Sequence, residues 1–197
     1  MVVKHITQYT SMQFLRPRYL YEPPAWFYSR ILVGAGEMLT PSFFRRHNIT
    51  HVINCAFPEH SPEWFRKAYP TRYACMNATD TLESNILEWF PQFEATLSAF
   101  LREGNGTVFV HCQCGINRSA FLTLTYIVQK FGLPYEKTFW NLKRQRPCMF
   151  SNPVFRKQTE EFTNGRIQNP QNAGPWSERI VDGDTGLGPS GSGADTA

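Results

Sequence analysis

The sequence predicts an α/β fold: a central, mostly parallel twisted sheet flanked by helices, with an anion-binding loop joining one strand to one helix. Three observations carry that expectation. Short apolar runs alternate along the chain with longer stripes of helical period, the arrangement of a parallel sheet covered by helices. Thr107-Val108-Phe109-Val110 reads as a buried strand, and residues 119–131, apolar around most of their circumference and closed by Gly132, read as the helix that follows it. With 197 residues, 42% hydrophobic and 15% aromatic, the chain can bury a full core without disulfides or metals.

Residues 1–28 mix aromatic and basic side chains (Tyr9, Phe14, Arg16, Arg18, Tyr19, Tyr21), end at Pro23-Pro24, and read as an N-terminal arm laid on the domain or on a partner. A domain over residues 29–163 follows. Its first strand is residues 30–33, and Thr40-Pro41 supplies an N-cap and an N1 proline for a short helix through His47. Residues 50–55 and 72–76 read as the second and third strands. Ile86, Phe90, Phe93, Leu97 and Phe100 then recur at helical spacing, the stripe of a core-facing helix that starts near Asn85 and is bent early by Pro91. From Asn164 onward glycine, serine, proline and acidic residues dominate. Residues 164–197 are therefore expected to be a disordered tail, since 183–197 cannot bury enough apolar surface to order themselves.

The chemistry concentrates in Val110-His111-Cys112-Gln113-Cys114-Gly115-Ile116-Asn117-Arg118-Ser119. This loop sits at a helix N-terminus, where unpaired N–H groups and the positive end of the helix dipole favour an anion. Backbone N–H groups of Gln113, Cys114, Gly115, Ile116 and Asn117 can form a nest for a phosphate, and the Arg118 guanidinium can grip two of its oxygens. The same dipoles favour a thiolate at Cys112.

His111-Cys112, separated by one short loop from Arg118-Ser119, resembles the signature of the cysteine-based protein phosphatases. The flanking sequence is similar to the dual-specificity branch of the protein tyrosine phosphatase superfamily. Asp80-Thr81-Leu82-Glu83-Ser84-Asn85-Ile86 resembles that family's general-acid loop. Arg144-Gln145-Arg146-Pro147, with Asn152-Pro153-Val154-Phe155 and Gln158, resembles its C-terminal helices, so the likeness runs over residues 29–162. It implies a phosphatase-type fold and a phosphocysteine mechanism. Cys112 attacks phosphorus, Arg118 binds equatorial oxygens, and Asp80 protonates the leaving oxygen and later takes a proton from water, with Glu83 the competing carboxylate. Ser119 is placed to donate to the Cys112 sulfur. His111 and Asn152 are expected to support the loop from behind, and Asn117 to fix it by hydrogen bonding. No cofactor and no metal is implied. Cys55, or next to it Cys75, is the candidate redox partner of Cys112, the alternative being that both are core thiols.

Substrate class follows from the loop interior and the charge. Inositol-lipid relatives carry lysines in this loop, and here there are none. Gly115-Ile116-Asn117-Arg118 also resembles the RNA 5′-triphosphatase branch, whose members generally work without an aspartic acid, so Asp80 favours a phosphoprotein substrate and leaves an RNA 5′ end as the alternative. No long insertion builds a deep phosphotyrosine-only pocket, and a shallow pocket would admit phosphotyrosine and phosphoserine or phosphothreonine alike. Residues 146–152 resemble the non-catalytic phospho-binding relatives, which lack the nucleophilic cysteine that Cys112 supplies here. The chain carries 20 Lys+Arg against 16 Asp+Glu; residues 164–197 hold 2 and 4 of these, leaving 18 against 12, or +6, on residues 1–163. That balance suits a phosphorylated partner or, equally, an ordinary solvated surface with Arg45, Arg46, Lys143, Arg144 and Arg146 on exposed helix faces. Without a signal peptide or an apolar span, and with an odd number of cysteines, a reducing cytoplasmic or nuclear location is expected.

Overall fold

The computed structural model describes residues 22–168, with side chains through Gly165; arm residues 1–21 and tail residues 169–197 lie outside the described part. Five strands, Ala25–Tyr28 (β1), Ile31–Ala35 (β2), Ile49–Asn54 (β3), Tyr73–Cys75 (β4) and Thr107–Cys112 (β5), form one sheet in the order β1-β2-β5-β3-β4. Every pairing is parallel except the β1–β2 hairpin at one edge. The central strand is β5, buried along its whole length. Its alternate residues face opposite layers: Val108, Val110 and Cys112 join the larger core, whereas Phe109 joins the smaller one with Leu32, Ile49, Val52 and Phe65.

Among the described residues six α-helices cover the two faces: Pro41–Arg46 (α1), Glu63–Ala68 (α2), Phe90–Glu103 (α3), Arg118–Phe131 (α4), Tyr135–Gln145 (α5) and Pro153–Gln168 (α6). Thr40 caps α1 as its sequence predicts, its hydroxyl accepting from Phe43 N at 3.2 Å with Pro41 in the first turn. Helix α4 is buried from Arg118 through Val128 and ends at Gly132, whose φ of 62° is the left-handed cap. The predicted stripe of Ile86, Phe90, Phe93, Leu97 and Phe100 is buried against it in the larger core.

Four expectations are corrected. Residues 25–28 are not part of an arm: Ala25 and Phe27 are buried in the core while Trp26 and Tyr28 are only half-buried, so this segment alternates as an edge strand and the sheet begins before residue 29. Pro23-Pro24 is compatible with this, because proline lacks only an N–H and sits readily just before an edge strand. Pro91 does not bend a helix. A 3-10 turn over Ile86–Trp89, capped by Asn85, leads into α3, and Pro91 lies in its first turn, where its missing N–H has no intrahelical partner to lose. The tail does not begin at residue 164: helix α6 runs on to Gln168, through the first residues assigned to it. Its buried face carries Thr159 and Thr163, whose hydroxyls donate back to the carbonyls of Phe155 (2.8 Å) and Thr159 (2.9 Å), so the polar residues remain satisfied inside. Finally, Arg146 is not on an exposed helix face but fully buried. No helix among the described residues is long and apolar enough to cross a membrane.

Candidate active site

The C-terminal end of β5 delivers Cys112 to the crevice outside the parallel strands, with the loop from Gln113 to Asn117 running from it into α4. The loop's shape follows from where its carbonyls go. Gln113 O accepts from Gly36 N (3.3 Å), Cys114 O and Gly115 O from the Arg146 guanidinium (3.0 and 3.2 Å), and Ile116 O from Phe150 N (2.8 Å). In a trans peptide the N–H points opposite to the C=O. With four successive carbonyls drawn outward, the amides of Cys114, Gly115, Ile116 and Asn117 are turned to the inside of the loop, an anion nest. Gly115 is required for this path: its φ is 64°, and a Cβ there would lie 2.2 Å from the Gly34 carbonyl carbon.

The side chains around the nest converge. Cys112 is 1% exposed, and Ser119 Oγ donates to its sulfur at 3.4 Å. Arg118 is buried; its Nη1 donates to Ala78 O (3.1 Å), whereas its Nε is buried without a hydrogen-bond partner. A buried guanidinium donor left unmatched is costly, and an anion seated in the nest would match it. Asp80 stands at the rim with its Oδ2 3.9 Å from Arg118 Nε. Two amides hold its carboxylate: Asn117 Nδ2 donates to Oδ1 and Oδ2 (3.3 and 3.2 Å), and Asn152 Nδ2 to Oδ1 (3.1 Å). The loop that carries Asp80 is pinned in turn. Ser84 Oγ bonds Thr79 Oγ1 (2.7 Å) and Thr81 Oγ1 (2.9 Å), Gln158 donates to Ser84 O (3.1 Å), and Asn152 Nδ2 also reaches Thr81 O (3.2 Å). The competing carboxylate, Glu83, is exposed, and among the described residues only its backbone N–H is engaged locally, by Thr81 Oγ1 at 3.2 Å.

His111 lies behind the loop, fully buried. Its Nδ1 faces Cys112 O (3.2 Å), which can only accept, so Nδ1 carries the proton and Nε2 accepts from the Ser61 hydroxyl (3.0 Å). Burial lowers its pKa to about 4, the bond to Cys112 O opposing only part of that shift, and the ring is neutral at physiological pH. Cys55 follows β3, its N–H donating to His111 O at 2.7 Å. Burial pushes its thiol well up, and the neighbouring Cys112 adds to the shift. Cys75 is half-buried, its Sγ donating to Ala56 O at 3.1 Å.

The structure thus brings together Cys112, Gln113, Cys114, Gly115, Ile116, Asn117, Arg118, Ser119 and Asp80, with His111 and Asn152 behind and beside them. Such a set offers a sulfur nucleophile, a cationic and amide-lined anion seat, and a carboxyl group at its rim. Two features escape a reading of the sequence. Arg146 is the buried support of the loop, while nearby Arg144 is the same residue type and exposed. Asn117, read as a nest residue and a loop-fixing hydrogen bonder, also grips Asp80, a contact between positions far apart in the chain.

The chain's residues 31–165 match the family model "Dual specificity phosphatase, catalytic domain". It is 30% identical over 120 residues to the serine/threonine/tyrosine-interacting protein of Homo sapiens, covering 60% of this chain and 53% of that protein. To dual specificity protein phosphatase 19 of Mus musculus it is 29% identical over 126 residues, 64% of this chain and 54% of the relative. The chain therefore spans about half the length of these relatives. Among solved structures, the human tyrosine phosphatase-like serine/threonine/tyrosine-interacting protein superposes with a TM-score of 0.64 at 25% identity, over 74% of this chain and 99% of that one. Human DUSP28 shares the fold at a TM-score of 0.63 and 22% identity, over 74% of this chain and 95% of the other.

Proposed function

From the premise that the chain belongs to the dual specificity phosphatase catalytic-domain family, we propose that it hydrolyses phosphotyrosine and phosphoserine or phosphothreonine in proteins through a phosphocysteine intermediate. The observation that carries the reading is the unmatched, buried Arg118 Nε beside an amide nest and a cysteine sulfur already bonded by Ser119. Phosphate monoesters resist hydrolysis because a dianion repels nucleophiles and an alkoxide leaves poorly, so a catalyst must supply charge stabilisation and a proton for the leaving group. Here Cys112 attacks phosphorus, while Arg118 and the inward amides take the equatorial oxygens. Asp80 protonates the leaving oxygen. In the second step water attacks the phosphocysteine, Asp80 receives its proton, and Ser119 stabilises the departing sulfur.

A second reading, binding of phosphoproteins without turnover, is favoured by the similarity to a protein named for interacting with serine, threonine and tyrosine. Purified protein should release phosphate from an aryl phosphate and from phosphopeptides, with the release abolished in Cys112→Ser. Asp80→Asn should lower kcat by about 10²–10⁴ on phosphopeptides, and much less on an aryl phosphate whose phenolate departs unaided. Tight phosphopeptide binding with no turnover by the wild type would make binding the function. Equal losses on both substrates in Asp80→Asn would remove Asp80 as the acid.

A further inference from the structure

Asn117 occupies the N-cap of α4, where an asparagine side chain ordinarily accepts a hydrogen bond from an N–H of the first turn. Here it makes no such bond. Its amide is turned outward, away from the helix it precedes, and the first-turn N–H groups of α4 keep their capacity for an anion. The diverted side chain joins three segments. Its Oδ1 accepts from Ser151 N (2.9 Å), Ser151 Oγ (3.2 Å) and Asn152 N (3.0 Å), at the start of α6, while its Nδ2 donates to both oxygens of Asp80.

We propose that Asn117 is a positioning residue for Asp80: it ties the carboxyl group to the same loop that seats the phosphate, so that acid and anion seat keep a fixed relation. The inference rests on the phosphocysteine reading above and extends it. The oxygen side of the amide anchors Asn117 to the segment before α6, and the nitrogen side carries the tie to Asp80. Those two duties can be separated by substitution. Asn117→Asp keeps oxygen acceptors for Ser151 and Asn152 but replaces the donor with a carboxylate facing a carboxylate, repelling the group it should hold. Asn117→Ala removes both duties.

The test is a double-mutant cycle of Asn117→Ala and Asn117→Asp with Asp80→Asn. It is assayed on a phosphotyrosine peptide and on 2,4-dinitrophenyl phosphate, whose leaving group needs no proton, with inorganic phosphate inhibition measured in parallel and thermal melting to compare folding. Both single variants should lose about 10- to 100-fold in kcat on the peptide and far less on the dinitrophenyl ester. In Asn117→Ala phosphate inhibition should shift less than about threefold, and neither variant should lower peptide kcat further once Asp80 is already Asn. Peptide activity of Asn117→Asp near that of wild type would show that only the oxygen-side anchoring matters, and would overturn the proposal. So would equal losses on the two substrates, additive losses in the Asp80→Asn background, or loss of folding in Asn117→Ala with a fully active Asn117→Asp. The parent reading fails separately. If the wild type turns over neither substrate, or Asp80→Asn itself shows no dependence on the leaving group, the mechanism falls and this inference with it.

Discussion

At the scale of single residues, the site is built from side chains whose roles follow from what each one lacks. Arg118 Nε lacks a hydrogen-bond partner, and Asn117 lacks the capping bond to the helix it precedes. Cys55 lacks water: burial pushes its thiol up, with Cys112 and Cys75 raising it further and Arg118 opposing them. A thiol held in that form attacks slowly at neutral pH, because the thiolate is the reactive species. If peroxide converts Cys112 to a sulfenic acid, Cys55 can condense with it to a disulfide and water, in competition with irreversible over-oxidation. The sign follows from the raised pKa: the Cys55 thiolate fraction grows with pH. At matched loss of activity, the share that dithiothreitol restores should therefore increase between pH 6.5 and 8.5 in the wild type and stay flat in Cys55→Ser, with a linked Cys55–Cys112 peptide in the mass map. A pH-independent recovery, the same in both proteins, would mean that these thiols never meet. At this scale the sequence was informative about identities. A cysteine, an arginine and a serine at those spacings name the seat, but the residue that holds Asp80 depends on a contact across 37 positions, which local pattern does not carry.

The elements explain why a short loop can hold so many amides in one direction. Arg146 follows the last turn of α5, is fully buried, and spends its guanidinium on backbone carbonyls: Cys114 and Gly115 of the loop on one side, Glu22 (2.6 Å) and Pro23 (3.1 Å) on the other. It therefore joins the segment before β1, the end of α5 and the anion seat. Removing it strands several buried acceptors, so Arg146→Ala should cost roughly 3–5 kcal/mol in urea unfolding. Arg146→Lys, which keeps a charge but not the planar fork, should fold with a smaller loss and bind orthovanadate more weakly. Unchanged vanadate affinity in a folded lysine variant would show that the loop holds its shape unaided. Periodicity made α3 and α4 legible, because an α4 apolar around most of its circumference and the phenylalanine stripe of α3 have no competing interpretation. It did not disclose β1 or the end of α6. A four-residue edge strand is too short for its alternation to stand out from an aromatic, proline-bounded segment, and buried threonines bonded to their own helix look polar in sequence.

For the whole molecule, the same architecture that builds the site ties its stability to pH through His111. The ring sits under the anion-binding loop, where His60 adds to the lowering of its pKa; Nδ1–H is committed to Cys112 O and Nε2 to the Ser61 hydroxyl. Space for a larger group beside it is absent, since a Cβ at Gly36 would come within 3.0 Å of His111 Nδ1 and 2.1 Å of His60 O. Protonating Nε2 would force the Ser61 hydroxyl to turn from donor to acceptor and would place a charge in a fully buried position. With a folded pKa of about 4 against 6.5 for the free side chain, the unfolded chain binds the extra proton first. Above pH 6.5 the two states are equally neutral at this position and the full stability is present. Between pH 6.5 and 4 the unfolded state is favoured progressively, and below 4 the penalty is constant. The whole window corresponds to roughly 3 kcal/mol. His51, its pKa also lowered mainly by burial although Glu103 opposes the shift, adds loss of the same sign. Urea midpoints measured at pH 7 and at pH 5 should therefore fall in the wild type, and His111→Gln, which has nothing to titrate, should lose about 1–2 kcal/mol less over that interval whatever its starting stability. Parallel pH dependence in the two proteins would place the acid sensitivity elsewhere. A steeper decline in wild type, with the excess growing between pH 6.5 and 4, would identify the neutral histidine beneath the loop as a group that limits the acid stability of the fold.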